Sequence, residues 1–356
     1  MRWDALPEVR SPVGRPIAEL LAEGPRRQDL PGFEPVYRDF VDYIIRCTHR
    51  IWEEKNVGLC RTHYSADCVM HTLGGPSVGA EVVTQNTIES LAMSADRQVL
   101  GEDVIWSEDG DDLLLSSHRI NARMTHMGSD PTIGAATMKG FGVAVIADCL
   151  CRENRIIEEW LVRDNGRAVL QIGGDPWIVA QAQAAADREG DGARHGWRAE
   201  RIAWVRAGGD CAVAPDHPAA LPVDMLGKAL RDDLYGDAVA ACSPAVELRW
   251  PSMRRGVGRG YLAGCYTQLR ANLHAPALRI EHVAARPLPH GDVAVAVRWW
   301  LAGRHGGDGV WGPPSKRDLL VMAISHYRLR EGLVVEDATV FDELAVLRQV
   351  AGGLGA

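Results

Sequence analysis

The spacing of apolar residues changes several times along the chain, and each change marks an element. In EPVYRDFVDYIIRCTHRIWEEKN (34–56), Val36, Phe40, Tyr43, Ile44, Cys47 and Ile51 recur at short helical steps, the period of one buried helix face. LCRTHYSAD then reads as a short helix or turn and CVMHTLGG as a brief strand. GAEVVTQNTIESLAMS predicts a second helix with Val82, Val83, Thr87 and Leu91 on one stripe. Strand signals follow over 97–109, 112–128, 139–154 and 155–164, divided by EDGDD and RENR, which is turn chemistry. Helices first, then adjacent strands on short turns, predict an α+β fold: a curved, mostly antiparallel sheet packed on helices.

Two stretches break this pattern. Residues 1–33, rich in Pro, Arg and Gly, read as an N-terminal arm with one short helix at PIAELLAEG. GDPWIVAQAQAAADREGDGARHG (174–196) reads as an alanine-rich helix running into a Gly-rich break. The order of elements then returns. VDMLGKALRDDLYGDAVAACS and GRGYLAGCYTQLRANL are helical, AVELRWPS matches the brief strand, and four further strands surround LPHGD and REG. Setting Arg152 on Arg330 also aligns Glu153 with Glu331, Glu158 with Glu336, Val162 with Val340 and Asp164 with Asp342. Identities at one shift, joined to a repeated order of elements, predict a tandem of two duplicated domains over 34–187 and 222–356, with a linker at 188–221.

Composition narrows the function. The 356 residues suit two domains. A net charge of −8 argues against nucleic acid as partner, and the apolar runs are too short for a membrane span. The N-terminus carries charge and proline where a signal peptide needs an apolar core. The eight cysteines are scattered, with C-x-C at Cys149 and Cys151 as the one close pair. They read as reduced, mostly buried thiols of a cytoplasmic protein.

In RIIEEWLVRD, Glu158, Trp160, Val162 and Asp164 share one strand face, which suits a half-buried pocket with an acid at each end. On SSHRINARMTH, His118, Ile120, Ala122, Met124 and His126 share a face that mixes apolar groups with imidazoles. Two histidines with an aspartate allow proton relay near neutral pH. Trp52, Trp106 and Trp160 are candidates to wall an apolar or aromatic ligand. A metal is not expected: His118 and His126 stand roughly 26 Å apart on an extended strand. No nucleotide or nucleophile-elbow motif is present, and no cofactor is expected.

The long helix, YSADCVMH, the glycine before the second helix, and four strands ending in IIEEWLVRD together resemble the SnoaL-like polyketide cyclase branch of the nuclear transport factor 2-like superfamily. The fuller match lies in the first half; the second matches in order of elements and in VVEDATVFD. The resemblance implies that Asp164 is similar to the acid/base of an intramolecular aldol closure, with His71 beside it at the mouth of the cone. In the second half Asp342 is kept, His71 gives way to Arg249 or Trp250, and His326 stands on the neighbouring strand. The resemblance also implies sheet-to-sheet pairing, made here as a pseudo-dimer within one chain, with a homodimer as the further case.

The resulting expectation is a cofactor-independent acid/base enzyme acting on a small, mostly apolar carbonyl compound, an aldol-type cyclase, lyase or dehydratase. Asp164, His71 and His118 would be catalytic, and Trp52, Trp106, Trp160, Met124 and His126 would bind substrate. Asp342, His326 and Trp250 are the second-domain candidates. One alternative is a non-catalytic small-ligand-binding or scaffold protein. The other is an epoxide-type hydrolase using Asp164 with Arg119 or Arg123.

Overall fold

The computed structural model describes residues 3–6, 9–110, 112–130, 133–189 and 193–353. The chain forms two compact units. The first takes the chain up to Thr72, Pro76–Arg163 and Ala284–Pro289; the second takes Leu73–Gly75, Asp164–Val283 and the chain from His290 on.

The helices up to the first sheet's end are α1 (Ile17–Leu20), α2 (Phe40–Trp52), α3 (Cys60–His63) and α4 (Ala80–Met93). Strands β1 (Tyr64–His71), β2 (Ser77–Val78), β3 (Gln98–Glu108), β4 (Leu114–Thr125), β5 (Gly140–Arg152) and β6 (Arg155–Arg163) make that sheet, in the order β2-β1-β6-β5-β4-β3. Then come α5 (Asn165–Gln171), α6 (Pro176–Glu189), α7 (Ala193–Arg206), α8 (Ala220–Leu230), α9 (Tyr235–Ala240), α10 (Arg259–Ala271) and, at the end, α11 (Glu343–Val350). Strands β7 (Cys242–Trp250), β8 (Arg254–Val257), β9 (Leu273–Pro287), β10 (Val293–His305), β11 (Asp318–Arg330) and β12 (Leu333–Phe341) make the second sheet, in the order β8-β7-β12-β11-β10-β9.

The fold is α+β, and each sheet has the same strand order as the other. In each, the last strand runs parallel to the first long strand and antiparallel to the one before it. Details repeat as well. The β5–β6 turn holds Glu153 and Asn154 at φ 46° and 68°, and the β11–β12 turn holds Glu331 and Gly332 at 50° and 76°. Left-handed residues at both turn positions match the twist of a two-residue hairpin. Gly79 and Gly258 precede α4 and α10 at φ 100° and 103°.

Helix α2 buries Phe40, Tyr43, Ile44, Cys47 and Ile51, the stripe its period predicts. It starts later than the pattern suggests, because the Asp39 side chain accepts the Asp42 amide at 2.8 Å and so caps it. Val36 falls before the cap and is exposed. In α4, Val83, Thr87 and Leu91 are buried while Val82 faces outward.

Two boundaries differ from the sequence expectation. The N-terminal arm is part of the first unit's core, where Val9, Leu20, Leu30 and Phe33 are buried. Arg286 ties it there. Its guanidinium lies 3.5 Å from the Trp106 ring centroid and donates to the carbonyls of Trp106, Trp3 and Ala5 at 2.7, 3.0 and 3.1 Å. The expected linker contains α7, which buries Ile202 and Val205 and stacks Arg201 over Trp300 at 5.0 Å. Part of the Gly-rich break, 190–192, lies outside the described residues. Asp164–Val283 belong to the second unit, where Asp187 of α6 accepts from Arg348 of α11 at 2.6 Å. All eight cysteines are free thiols, seven of them buried. Among the described residues no helix is long and apolar enough to cross a membrane.

Arg286→Ala would leave three carbonyls without their donor and strip the cation from Trp106. Urea unfolding should show a loss of about 2–4 kcal/mol.

Candidate functional site

Strand β6 lies between β1 and β5, and its register decides where each acid goes. Glu159 pairs with Cys149 on β5 and Met70 on β1; Trp160 pairs with His71 on β1. Side chains alternate along a strand. Leu161, two residues from Glu159, packs with Cys68, Met70, Ala147 and Cys149 against Phe40, Tyr43 and Ile44 of α2. Glu159 therefore faces the helix-covered interior of the first unit, and Glu158 and Trp160 face the opposite side.

A lone carboxyl in that interior loses its hydration. Glu159 is 6% exposed. Burial pushes its carboxyl up to about 7, against the opposing pull of the Arg163 charge and a hydrogen bond from Tyr64. Its charge bears on Tyr64, Cys47, Cys60, Cys68, Cys149 and Cys151. Those thiols are themselves suppressed: burial raises Cys60 to about 11 and Cys68 to about 12. They are protonated at neutral pH, so they form a soft apolar lining rather than nucleophiles.

Two strands away, Ser116 and His118 share this face. Ser116 continues the row Glu159–Cys149–Ser116, and His118 pairs with Ala147. With β5 between them, β4 and β6 lie about 10 Å apart. Neither the Ser116 hydroxyl nor His118 Nε2 has a hydrogen-bond partner. Burial lowers His118 to about 3, so the imidazole is neutral. A Cβ on residue 101 would stand 2.9 Å from His118 Nε2 and 3.0 Å from Ile45 Cδ1, so glycine there makes room for the ring.

The sequence candidates separate into several places. His118 and Met124 face the interior, as their strand face predicts. His71 faces the other side, where its Nε2 meets Glu158 Oε1 at 2.7 Å and its ring stacks on Trp160 at 5.2 Å. The three tryptophans share no wall. Trp106 is interior, against Phe40; Trp160 is opposite; Trp52 ends α2 under Arg97 at 5.0 Å. His126 lies at the base of a hairpin, its Nδ1 3.2 Å from Thr137 Oγ1. His305 repeats this on Ser315 at 3.0 Å, which gives His126 a structural reason to be present. Arg119 pairs with Glu102 at 3.2 Å, on the face away from Glu159.

Asp164 does not join the first unit's interior. It caps α5, accepting the Arg167 amide at 3.0 Å and the Ser252 amide at 3.0 and 3.1 Å. Burial pushes it up to about 7 against those amides, yet its oxygens are committed to backbone. Asp342 caps α11 in the same way through the Ala345 amide at 3.1 Å, and it accepts Asn165 Nδ2 at 2.6 Å. The aspartate shared by the two halves is a cap, which the ordinary turn sequence RDNG already allowed. His326 is buried on β11, on the opposite side from Tyr327. Trp250 packs on Tyr266 and Phe341.

Glu159 is not among the sequence candidates, because the face that suggests a pocket on β6 is that of Glu158, Trp160 and Asp164. The signal was present: a second glutamate adjoining the first must take the other side, between Ile157 and Leu161. Among the described residues no cluster of three or more metal-ligating side chains forms.

No known family profile matches the chain, and no curated protein does. Several solved structures are similar. A protein of Jannaschia sp. CCS1 assigned as a SnoaL-like polyketide cyclase is 19% identical, with TM-score 0.31, over 39% of this chain and 96% of its own. IdmH of Streptomyces antibioticus, assigned as a polyketide cyclase, is 21% identical, with TM-score 0.31, over 37% and 96%. TsrD of Streptomyces laurentii is 17% identical, with TM-score 0.33, over 39% and 99%. Each is a chain less than half as long as this one. At such identities and scores they carry no argument about chemistry, and the α+β assignment rests on the two sheets and their helices.

Burial favours the protonated form of Glu159. Its contribution to stability is present in full below its ordinary value of 4.5 and is lost as pH rises through about 7. Glu159→Gln stays neutral throughout. Between about pH 4 and pH 8, urea unfolding of the wild type should lose about 3 kcal/mol more than that of the variant.

Proposed function

We propose that the first unit is a cofactor-independent acid–base catalyst for a small, mostly apolar carbonyl compound, with Glu159 in place of Asp164 as the base. One observation carries this reading: a single buried carboxyl, raised to about 7, on the apolar helix-facing side of the sheet. A base of that strength is half ionised at neutral pH, where general acid–base transfer is most efficient.

The ionised carboxylate takes a proton from the carbon next to the carbonyl, and the C–H pair becomes the enolate. Neutral His118 suits a hydrogen bond to the enolate oxygen, where charge develops. In an aldol-type closure the enolate carbon bonds to a second carbonyl carbon of the same molecule. The proton on Glu159 then passes to the new alkoxide, which restores the base. Tyr64 and Arg163 keep Glu159 from rising so far that it never ionises. The protonated thiols hold an apolar ring without competing for the carbonyl carbon.

Solvent deuterium uptake next to the carbonyl of small aromatic and polyketide-like ketones tests this. Wild type should catalyse uptake, with a rate that rises as pH passes through about 7. Glu159→Gln should lose about 10²–10⁴-fold of it while still binding the ketone. Asp164→Asn, where folded, should keep it. Uptake lost in Asp164→Asn and retained in Glu159→Gln would return the role to the cap; binding without uptake in the wild type would make the first unit a ligand carrier.

A further inference from the structure

Glu159, His118 and Ser116 are all buried, so a small molecule reaches them only after some part of the first unit moves aside. The strands that carry them resist this, because β4, β5 and β6 are each paired on both sides. Helix α2 resists it through its buried stripe. Residues 9–24 are held differently. Their regular structure is the four-residue α1. Among the described residues their backbone bonds are local, as from Arg15 to Pro12 and from Ala22 to Glu19, at 3.0 and 3.3 Å. Segments with few such ties to their surroundings open at the least cost.

Side chains fasten this segment. Ser11 Oγ donates to Asp103 Oδ1 on β3 at 2.7 Å. Arg38 Nη2 donates to the Leu20 carbonyl at 2.7 Å, and Arg46 Nη2 to the Ala22 carbonyl at 2.6 Å. Asp42, buried on α2, accepts Arg38 Nε at 3.1 Å and Arg46 Nε at 2.9 Å. One carboxylate thus aims two guanidiniums at the carbonyls that the end of α1 leaves unpaired. Val9 and Leu20 add apolar anchors, in the same core as Cys68, Cys149, Cys151 and Leu161. The chain beyond Pro25 is tied more firmly. The Arg27 and Gln28 amides donate to the Arg38 carbonyl at 2.6 and 3.2 Å, and Gln28 Oε1 accepts the Phe40 amide at 2.9 Å. Arg26 holds the carbonyls of Leu30, Phe33 and Glu34 at 3.2, 3.2 and 2.8 Å.

We propose that residues 9–24 form a strap over the first unit's interior, which swings about Gly24 and Pro25 to admit substrate to Glu159. Opening breaks the three side-chain bonds and uncovers Val9 and Leu20, while the sheet, α2 and the chain from Arg26 on stay in place. Closing restores the dry surroundings that raise the Glu159 carboxyl. What the strap admits rests on the Glu159 reading; that it opens does not.

Buried thiols report the opening. Full-length protein in native buffer would be treated with N-ethylmaleimide, and each cysteine followed by peptide mass spectrometry. Cys68, Cys149 and Cys151 share the strap's core. Cys60 lies in a separate cluster of the same unit, and Cys242 and Cys265 lie in the second unit. Ser11→Ala should speed labelling of the first three about fivefold, and Arg46→Gln about tenfold or more. Cys60, Cys242 and Cys265 should keep their wild-type rates. In the wild type, labelling of Cys149 should respond to urea less steeply than global unfolding does, because a strap exposes less surface than a whole chain; this reading needs no variant to fold. Acceleration of all six thiols together would overturn the proposal. So would unchanged rates at Cys68, Cys149 and Cys151 in both variants, or wild-type labelling of Cys149 with the full urea slope of unfolding. Deuterium uptake by the same samples reads Glu159 separately, so its absence beside the expected thiol pattern would remove the base and leave the strap.

Discussion

Everything of chemical interest in the first unit depends on the register of β6. It is held on two sides, parallel to β1 and antiparallel to β5. A slip of one residue would exchange its faces. Glu158 would then enter the apolar interior, and Glu159 would move out to where His71 and Trp160 now lie. The apolar residues forbid this, because Leu161 packs with the α2 core and would go with Glu159. Hydrophobic burial of its neighbours thus places a carboxyl where it could not settle alone. The desolvation that follows raises it toward neutral pH.

Interior groups and caps answer to different forces. Asp164 and Asp342 sit at corresponding strand ends, and each accepts the amide three residues on to begin a helix. Their identity across the halves follows from backbone geometry, which needs a short side-chain acceptor at that point. Glu159 and Asp337 also correspond, but what they share is burial, which raises each to about 7. The cap residues look like catalytic acids in a linear reading because they are acidic, end a strand and recur. Asp164 is also raised to about 7, as Glu159 is. What distinguishes them is occupancy, since amides already take the oxygens of Asp164.

The two halves have kept their scaffold and changed their lining. Left-handed hairpin turns, the glycines before α4 and α10, and the histidine at each hairpin base recur. These positions answer to backbone sterics or to unpaired amides, which have few solutions. Interior positions 147, 149 and 161 became hydroxyl-bearing at 325, 327 and 339, because a sheet tolerates any side chain there that the neighbours can pair or pack.

Periodicity was enough to determine the α+β class, the α2 and α4 stripes, the strands from 97 to 164 and the tandem order. Each is a local pattern of side chains relative to its own backbone. The same local pattern placed His118 and Met124 on one face correctly. It could not choose between the two faces of β6, since Glu158–Trp160 and Glu159–Leu161 are equally regular; only packing against α2 made that choice. Nor could it separate a cap from a base at Asp164, because the Ser252 amide that occupies its carboxyl lies 88 residues away in the chain. The N-terminal arm shows the same limit. Its anchor is Arg286, and no pattern within residues 1–33 reveals a guanidinium brought to it by a distant strand. Elements follow from neighbours in sequence, whereas the site follows from neighbours in space, and desolvation, which sets its chemistry, exists only once the chain has closed around it.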